Sequence, residues 1–523
     1  MRSREKSFFW LKPLLILIAL SFAVFAINRS IDAIFHAQIV QFLRDSVFSG
    51  DLNLVLSSFG NMGEVMTSIL GIEITAVAII VQLAANKYSS KIMEMVITDK
   101  VNFIVVALFV VSGANTILLA NTMTPAHIPY FSILFTLFLL VVSLIIVIPH
   151  FTYVFNFLRP EHFLKEVEIE SKKLIRETRT TKDNNSVLLN REKLADNIDF
   201  IGDVALNSVY QSDRAVSLYC LNSLKNILTF YIPSKDEFPS FWFKLSGKEH
   251  LDPDFSNYSA YVMKRIEEQH ILLERKIFRL YEMIFINSKD NQRDIASGVL
   301  INSRLIFESA VNSSDNGVIW TIMQYFNSFL RVSITSHDPR SAFNTLEHYR
   351  IMAEKIIDYD FNLLLKFYFF FKYYGQEANK YHVYFILETA AHDLFKITKL
   401  AFELEVKNFH QLLELFLSLD EPIEDNSEQN ISQKELSLIG VRIAQVKLAA
   451  LFLRNDRTDL AKEVYNDLLV EPKSRIKKIK EIIFSTDNEE FWEITPRGIN
   501  FYYLDPEDKE ALKTFFDWFD AEQ

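Results

Sequence analysis

Apolar residues cluster at the start of the chain in four blocks, each near the length of about 20 mostly apolar residues that crosses a bilayer. They run from about Phe8 to Asn28, Met62 to Ala85, Val101 to Ala120 and Tyr130 to Phe151. Lys12, near the start of the first block, is placed to snorkel to the headgroups. A cleaved signal peptide competes for this block. It is disfavoured because the run is long and no convincing small-x-small site precedes Asn28. Between the first two blocks, Ile31, Ile34, Phe35, Ile39, Phe42 and Leu43 recur at helical spacing, with Asp32, Gln38, Gln41 and Arg44 elsewhere. This pattern predicts an outer amphipathic helix over about 31–45, on the membrane surface or capping the bundle.

The second block departs from a plain apolar pattern. On a helical wheel, Glu64, Ser68, Gly71, Thr75, Ala78, Gln82 and Asn86 fall within an arc of roughly 80°. This small-or-polar stripe has two readings. One is close helix packing, with small residues admitting a neighbour and polar groups bonding across helices. The other is the wall of a water-filled path, with one such helix per subunit ringing the axis of a symmetric oligomer. Glu73 lies about 160° from Thr75, off the stripe. A central carboxylate costs roughly 2.5–3.5 kcal/mol on insertion scales and is normally paired or protonated. Ser112, Asn115 and Thr116 of the third block are its expected hydrogen-bond partners.

From Glu161 onward, helix-sized amphipathic segments alternate with polar turns such as "TTKDNNS", "NSSDNG" and "SHDPRS". The fold class is therefore all-α: a four-helix transmembrane domain over 1–158, then a solenoid-like helical domain over 159–523 with room for two subdomains. Asp338 fits a helix N-cap and Pro339 the first helical position. "IAQVKLAALFLRN" followed by "DRTDLAKEVYNDLLVEP" reads as one helix–turn–helix unit of the tetratricopeptide kind. Ser333 and Asp338 echo the spacing of Ser208 and Asp213, through either an internal repeat or two unrelated caps. "NLLLKFYFFFKYYG" is too short for a fifth span and reads as a buried solenoid or interface helix. "FWEITPRGINFYYL" reads as a small β-hairpin, ahead of an aromatic C-terminal helix suited to docking.

Charge sets the orientation. Lys/Arg are concentrated before the first block, at Lys87, Lys91 and Lys100, and after the fourth block, whereas the two opposite loops have few or none. The positive-inside rule then puts both termini and the helical domain in the cytoplasm, making a multi-pass protein of the inner membrane. Residues 1–158 hold nine Lys/Arg against eight Asp/Glu, and the remainder holds 46 against 58. An acidic soluble part argues against nucleic-acid partners. The single cysteine, Cys220, excludes an internal disulfide and reads as a core residue. The eleven histidines have no metal-ligand spacing, and no nucleotide loop or nucleophile elbow occurs, so no metal, cofactor or catalytic residue is expected. His150, beside Pro149 at the inner end of the fourth block, reads as an interfacial hydrogen bonder or a pH-responsive group.

The run Gln82–Lys91, "QLAANKYSSK", resembles the Q-L-A-S-S-Q-[FY]-S-P-R signature of an uncharacterised bacterial family of predicted membrane proteins. Gln82, Leu83, Ala84, Tyr88 and Ser89 match, Lys91 keeps the charge, and Ser90 replaces the proline. Gly71 and Thr75 resemble a Gly and a Ser upstream in that pattern, whereas Glu73 falls where the family is apolar. A second stretch, like S-P-G-I-N-D-P-[FY]-T-A-x-x-C-L-x-x-L, is met by Ser208, Asp213, Cys220, Leu221 and Leu224. There Val209, Tyr210 and Arg214 replace P, G and P. The resemblance covers the four spans and the first third of the soluble part. It implies four spans with a cytoplasmic helical domain, and no established activity. Together these features predict a lipid-embedded homo-oligomer of channel or transport type, gated or sensed by the helical domain. The alternative is a membrane-anchored scaffold or sensor that binds protein partners.

Overall fold

The computed structural model describes residues 2–34, 52–124, 128–245, 252–421 and 431–521. Two compact units result, Met1–Glu166 and Val167–Gln523. The first holds α1 (Arg2–Ile34), α2 (Leu52–Lys87), the short α3 (Lys91–Thr98), α4 (Lys100–Thr122) and α5 (Tyr130–Phe157), and ends within α6 (Pro160–Thr180).

Each expected span lies inside one of α1, α2, α4 and α5, the four described helices long and apolar enough to cross a membrane. Ser57–Lys87 of α2 has 31 such residues, about 46 Å of helix against about 30 Å of hydrocarbon. α2 must therefore tilt or project from the bilayer. α4 is the central helix, packed on α1, α2 and α5. It is also the most enclosed: 44% of its apolar window is buried, against 11% for α1. Met66, Val105, Phe109 and Leu140 interlock across α2, α4 and α5, and Phe59, Leu119 and Ile133 do so nearer the other end.

The expected outer helix over 31–45 falls mostly on residues 35–51, outside the described residues. Its start is corrected, because α1 runs through Ile34 without a break. Asp32 is not a solvated polar-face residue but is buried. It accepts hydrogen bonds from the Phe131 and Ser132 amides, both at 2.9 Å, and from the Ser132 hydroxyl. A carboxylate of α1 thus caps the N-terminus of α5, where orphan amides and the helix dipole favour negative charge. Asp32→Ala is expected to cost about 1–2 kcal/mol, as loss of a good cap does. Thermal unfolding of the full chain in nanodiscs measures this, and Asp32→Asn, which keeps one acceptor, should recover part of the loss.

The second unit is a stack of helical hairpins. Its helices are α7 (Asn184–Tyr210), α8 (Arg214–Tyr231), α9 (Ala260–Glu268), α10 (Leu272–Ser288), α11 (Arg293–Asn312), α12 (Asn316–Thr335) and α13 (Pro339–Lys355). These are followed by α14 (Phe361–Lys380), α15 (Phe385–Glu403), α16 (Phe409–Leu417), α17 (Ile431–Arg454), α18 (Thr458–Leu468), α19 (Lys473–Ser485) and α20 (Pro506–Ala521). One row runs α8, α11, α13, α15, α17, α20, and the other runs α7, α10, α12, α14, α16, with each helix packed on the next of its row. The apolar "NLLLKFYFFFKYYG" is α14, whose Leu364, Phe367, Tyr368 and Phe371 are buried between rows.

One turn type recurs between these helices. Ser212, His270, Ser314, His337, His382, Glu405 and Asp456 have φ between 52° and 61°. In each case the next residue's amide bonds the carbonyl five positions back, as Asp213 to Ser208 and Asp338 to Ser333, both at 2.8 Å. This is the helix-ending motif with a left-handed residue. The echo between Ser208/Asp213 and Ser333/Asp338 is one pair from this recurring turn.

The expected β-hairpin near the C-terminus does not form. Among the described residues, Glu490 and Ile499 make only an isolated antiparallel bridge. Pro496 offers no amide, Gly498 turns at φ +62°, and Arg497 is drawn away from any strand partner into the solenoid. Its guanidinium reaches Asp393 of α15 and Glu347 of α13, and stacks over the Phe343 ring at 4.3 Å.

Candidate functional site

α2 has two unlike faces. Phe59, Gly63, Met66, Glu73, Val81 and Ala85 are buried at helical spacing, so Glu73 sits midway along the face turned to the bundle. The seven stripe residues, Glu64, Ser68, Gly71, Thr75, Ala78, Gln82 and Asn86, are all exposed on the chain's outer surface. The Ser68 hydroxyl donates to the Glu64 carbonyl at 2.9 Å and the Thr75 hydroxyl to the Gly71 carbonyl at 2.7 Å. A Cβ built on Gly71 meets nothing within 4 Å. Among the described residues, the stripe therefore does not serve packing between helices of one chain.

Glu73 does not pair with the α4 groups expected of it. The Asn115 amide donates to the Val111 carbonyl and the Thr116 hydroxyl to the Ser112 carbonyl, each at 2.8 Å, so both are spent on their own helix. The partner is His150 of α5, whose Nδ1 lies 2.7 Å from Glu73 Oε1. On its other side, His150 Nε2 lies 2.9 Å from Asn102 Oδ1. Asn102, near the start of α4, donates its Nδ2–H to the Val96 carbonyl of α3 at 2.8 Å. Asp99 caps α4 by accepting from the Val101 and Asn102 amides at 3.0 and 3.1 Å, which fixes where Asn102 stands. The result is a hydrogen-bonded line from mid-span on α2, through α5 and α4, to α3. Glu73 and His150 are 4% and 5% exposed, and Glu73 Oε2 is buried with no hydrogen-bond partner. An intramembrane carboxyl and imidazole held in this way are candidate functional groups.

The family-signature residues build the α2–α3 turn. Tyr88 and Ser89 are buried, Tyr88 packs on Phe163 at 6.1 Å, and Ser89 Oγ accepts from the Lys91 amide at 3.4 Å. Ser208 and Asp213 belong to the α7–α8 turn of the second unit, where Asp213 caps α8 through the Val216 amide. Cys220 is fully enclosed, and burial pushes its thiol up, away from nucleophilic use. Asn102 gave no signal in the sequence. His150 gave one as the single histidine inside an apolar block.

By its fold the chain is a membrane protein, with four apolar helices ahead of a helical domain. Residues 6–199 match the family described as predicted membrane protein (DUF2254), so this stretch is similar to an uncharacterised family of membrane proteins. The Ser208–Leu224 stretch lies beyond the matched residues. No curated protein and no solved structure matches the chain.

Proposed function

We propose that the protein is an oligomeric channel or transport-type assembly of the inner membrane, with α2 of each copy turned to the shared axis. The observation behind this reading is that all seven stripe residues are exposed. An amide or carboxyl facing hydrocarbon forfeits its hydrogen bonds, so a polar line on the outside of a spanning helix calls for cover. The same line on symmetry-related copies supplies that cover and leaves a polar path between them. Both termini and the hairpin stack are then cytoplasmic, following the Lys/Arg bias, and the stack acts as gate or sensor. Catalysis has no part in this reading.

Purified full-length protein in planar bilayers tests it. Currents are expected from the wild type, and Thr75→Leu and Gln82→Leu should each lower unit conductance or shift ion selectivity. Absence of currents, or currents unaltered in both variants, counts against it. A scaffold role is the second reading, favoured by the stacked hairpins and by Val470, Trp492 and Ile494, which stand 79%, 78% and 104% exposed. Capture of a defined protein partner lost on Trp492→Ala and Ile494→Ser, with no conductance, would support that reading instead.

A further inference from the structure

We propose that Glu73, His150 and Asn102 form a proton-binding latch, which holds α2 to α4 and α5 only while one proton is shared between Glu73 and His150. The argument rests on donors and acceptors. Asn102 uses its Nδ2–H on the Val96 carbonyl, so its Oδ1 is what faces His150. An oxygen there accepts, so His150 Nε2 carries a hydrogen and donates. If the imidazole is neutral, Nδ1 is then a bare lone pair. At 2.7 Å from Glu73 Oε1 a lone pair needs a hydrogen between the two atoms. Either the carboxyl is protonated and donates to Nδ1, or the ring is an imidazolium donating to a carboxylate. Both forms hold the same single proton and the same net charge of zero.

Removing that proton leaves no satisfactory arrangement. With Nε2–H kept, a carboxylate oxygen faces the Nδ1 lone pair. With the tautomer switched to Nδ1–H, the Nε2 lone pair faces Asn102 Oδ1. Turning the Asn102 amide to cure this sets its oxygen against the Val96 carbonyl. Each choice breaks one bond of a line that ties four helices, at two side chains, Glu73 and His150, that are themselves buried. Other titratable groups on the packed elements include Glu64 and Lys87 on α2, Lys91 and Glu94 on α3, Asp99 and Lys100 at the start of α4, Tyr130 and Tyr153 on α5, the latter facing Asp99, and Arg29 and Asp32 on α1. Asp32 is committed to the α5 amides. The described hydrogen bonds of the Glu73–His150 pair run only to each other and to Asn102. This inference stands apart from the stripe, since it concerns the opposite face of α2.

The test is unfolding of the full-length protein in phosphatidylcholine nanodiscs between about pH 5 and pH 9, a range that brackets the ordinary histidine pKa. The native pair keeps its proton where the unfolded histidine, above about pH 6.5, has lost one. Wild-type stability should therefore fall as pH rises, with the unfolding constant increasing about tenfold per pH unit until the native proton leaves. Glu73→Gln puts a permanent N–H donor against Nδ1 and should lose this tenfold-per-unit component above about pH 6.5. Asn102→Leu frees Nε2, allows Nδ1–H to donate to a carboxylate, and should lose the slope as well. A flat wild-type profile, or either variant keeping the full wild-type slope, overturns the proposal.

Discussion

Arg497→Ala is expected to loosen the C-terminal part of the helical stack by about 3–5 kcal/mol, the cost of stripping one partner from a buried ion pair. The Asp393 side chain is fully buried, and Arg497 holds it through two bonds of 2.5 and 2.9 Å. Arg497 Nε reaches Glu347 at 2.9 Å, and its Nη2 donates to the Phe343 carbonyl at 3.1 Å. Without the guanidinium, Asp393 keeps Arg350 as its one ion-pair partner among the described residues, with Nε 3.5 Å away. The neighbouring strap is fixed by the same region: Tyr502 donates to Glu388 at 3.2 Å, Lys447 to the Phe501 carbonyl at 3.2 Å, and the Phe501 ring stacks on His392 at 4.1 Å. The loss should therefore be local. Amide exchange of the full chain should speed up across α13, α15 and residues 489–504 while α7 and α8 keep their protection. Arg497→Lys, with one point charge in place of a fork, should recover less than half. Uniform protection across the stack would mean the strap is ornamental to its stability.

Periodicity carried the architecture of this chain but not its tertiary pairings. The α2 wheel separates Glu73 from the stripe, and the structure puts the two on buried and exposed faces as that geometry requires. The wheel says nothing about which residue of another helix stands level with Glu73. His150 lies 77 positions away, and its height depends on how α2 and α5 slide against α4. Asn115 and Thr116 look like partners by composition, yet their side chains bond their own helix's backbone first. Asp32 was misread for a related reason, because its ligand is the end of another helix and its own segment does not reveal it. In the helical stack, polar turns mark the breaks, but the left-handed residues at them are Ser, His, Glu and Asp, types that do not advertise positive φ as glycine does. The "PRG" turn was legible as a turn. That its arginine is the buried anchor of a strap depends on Asp393, 104 positions earlier.

A double-mutant cycle on Glu73 and His150 separates what the membrane pair does for stability from what it does for function. His150→Leu leaves both oxygens of Glu73 without a partner, and the carboxyl must then sit protonated and unbonded in the bundle. Glu73→Leu leaves the His150 Nδ1 lone pair facing hydrocarbon. Each single change is expected to cost about 1–3 kcal/mol, the desolvation penalty of a buried group stripped of its partner. The double change removes both polar groups and leaves Asn102 Oδ1, on a half-buried side chain, without its partner. Two leucines of suitable volume pack as well as the pair, so the double variant should be no less stable than either single one, and close to wild type. A coupling of about 2–6 kcal/mol follows, the sum of the two single losses, read from unfolding of the four proteins in nanodiscs. Strictly additive losses would mean the two groups do not act together. If the double variant is stable but its stability no longer falls with rising pH, then the pair was never the cheapest way to hold these helices. A protein that keeps a proton-sharing pair where two leucines would hold as well is keeping it for what the proton does.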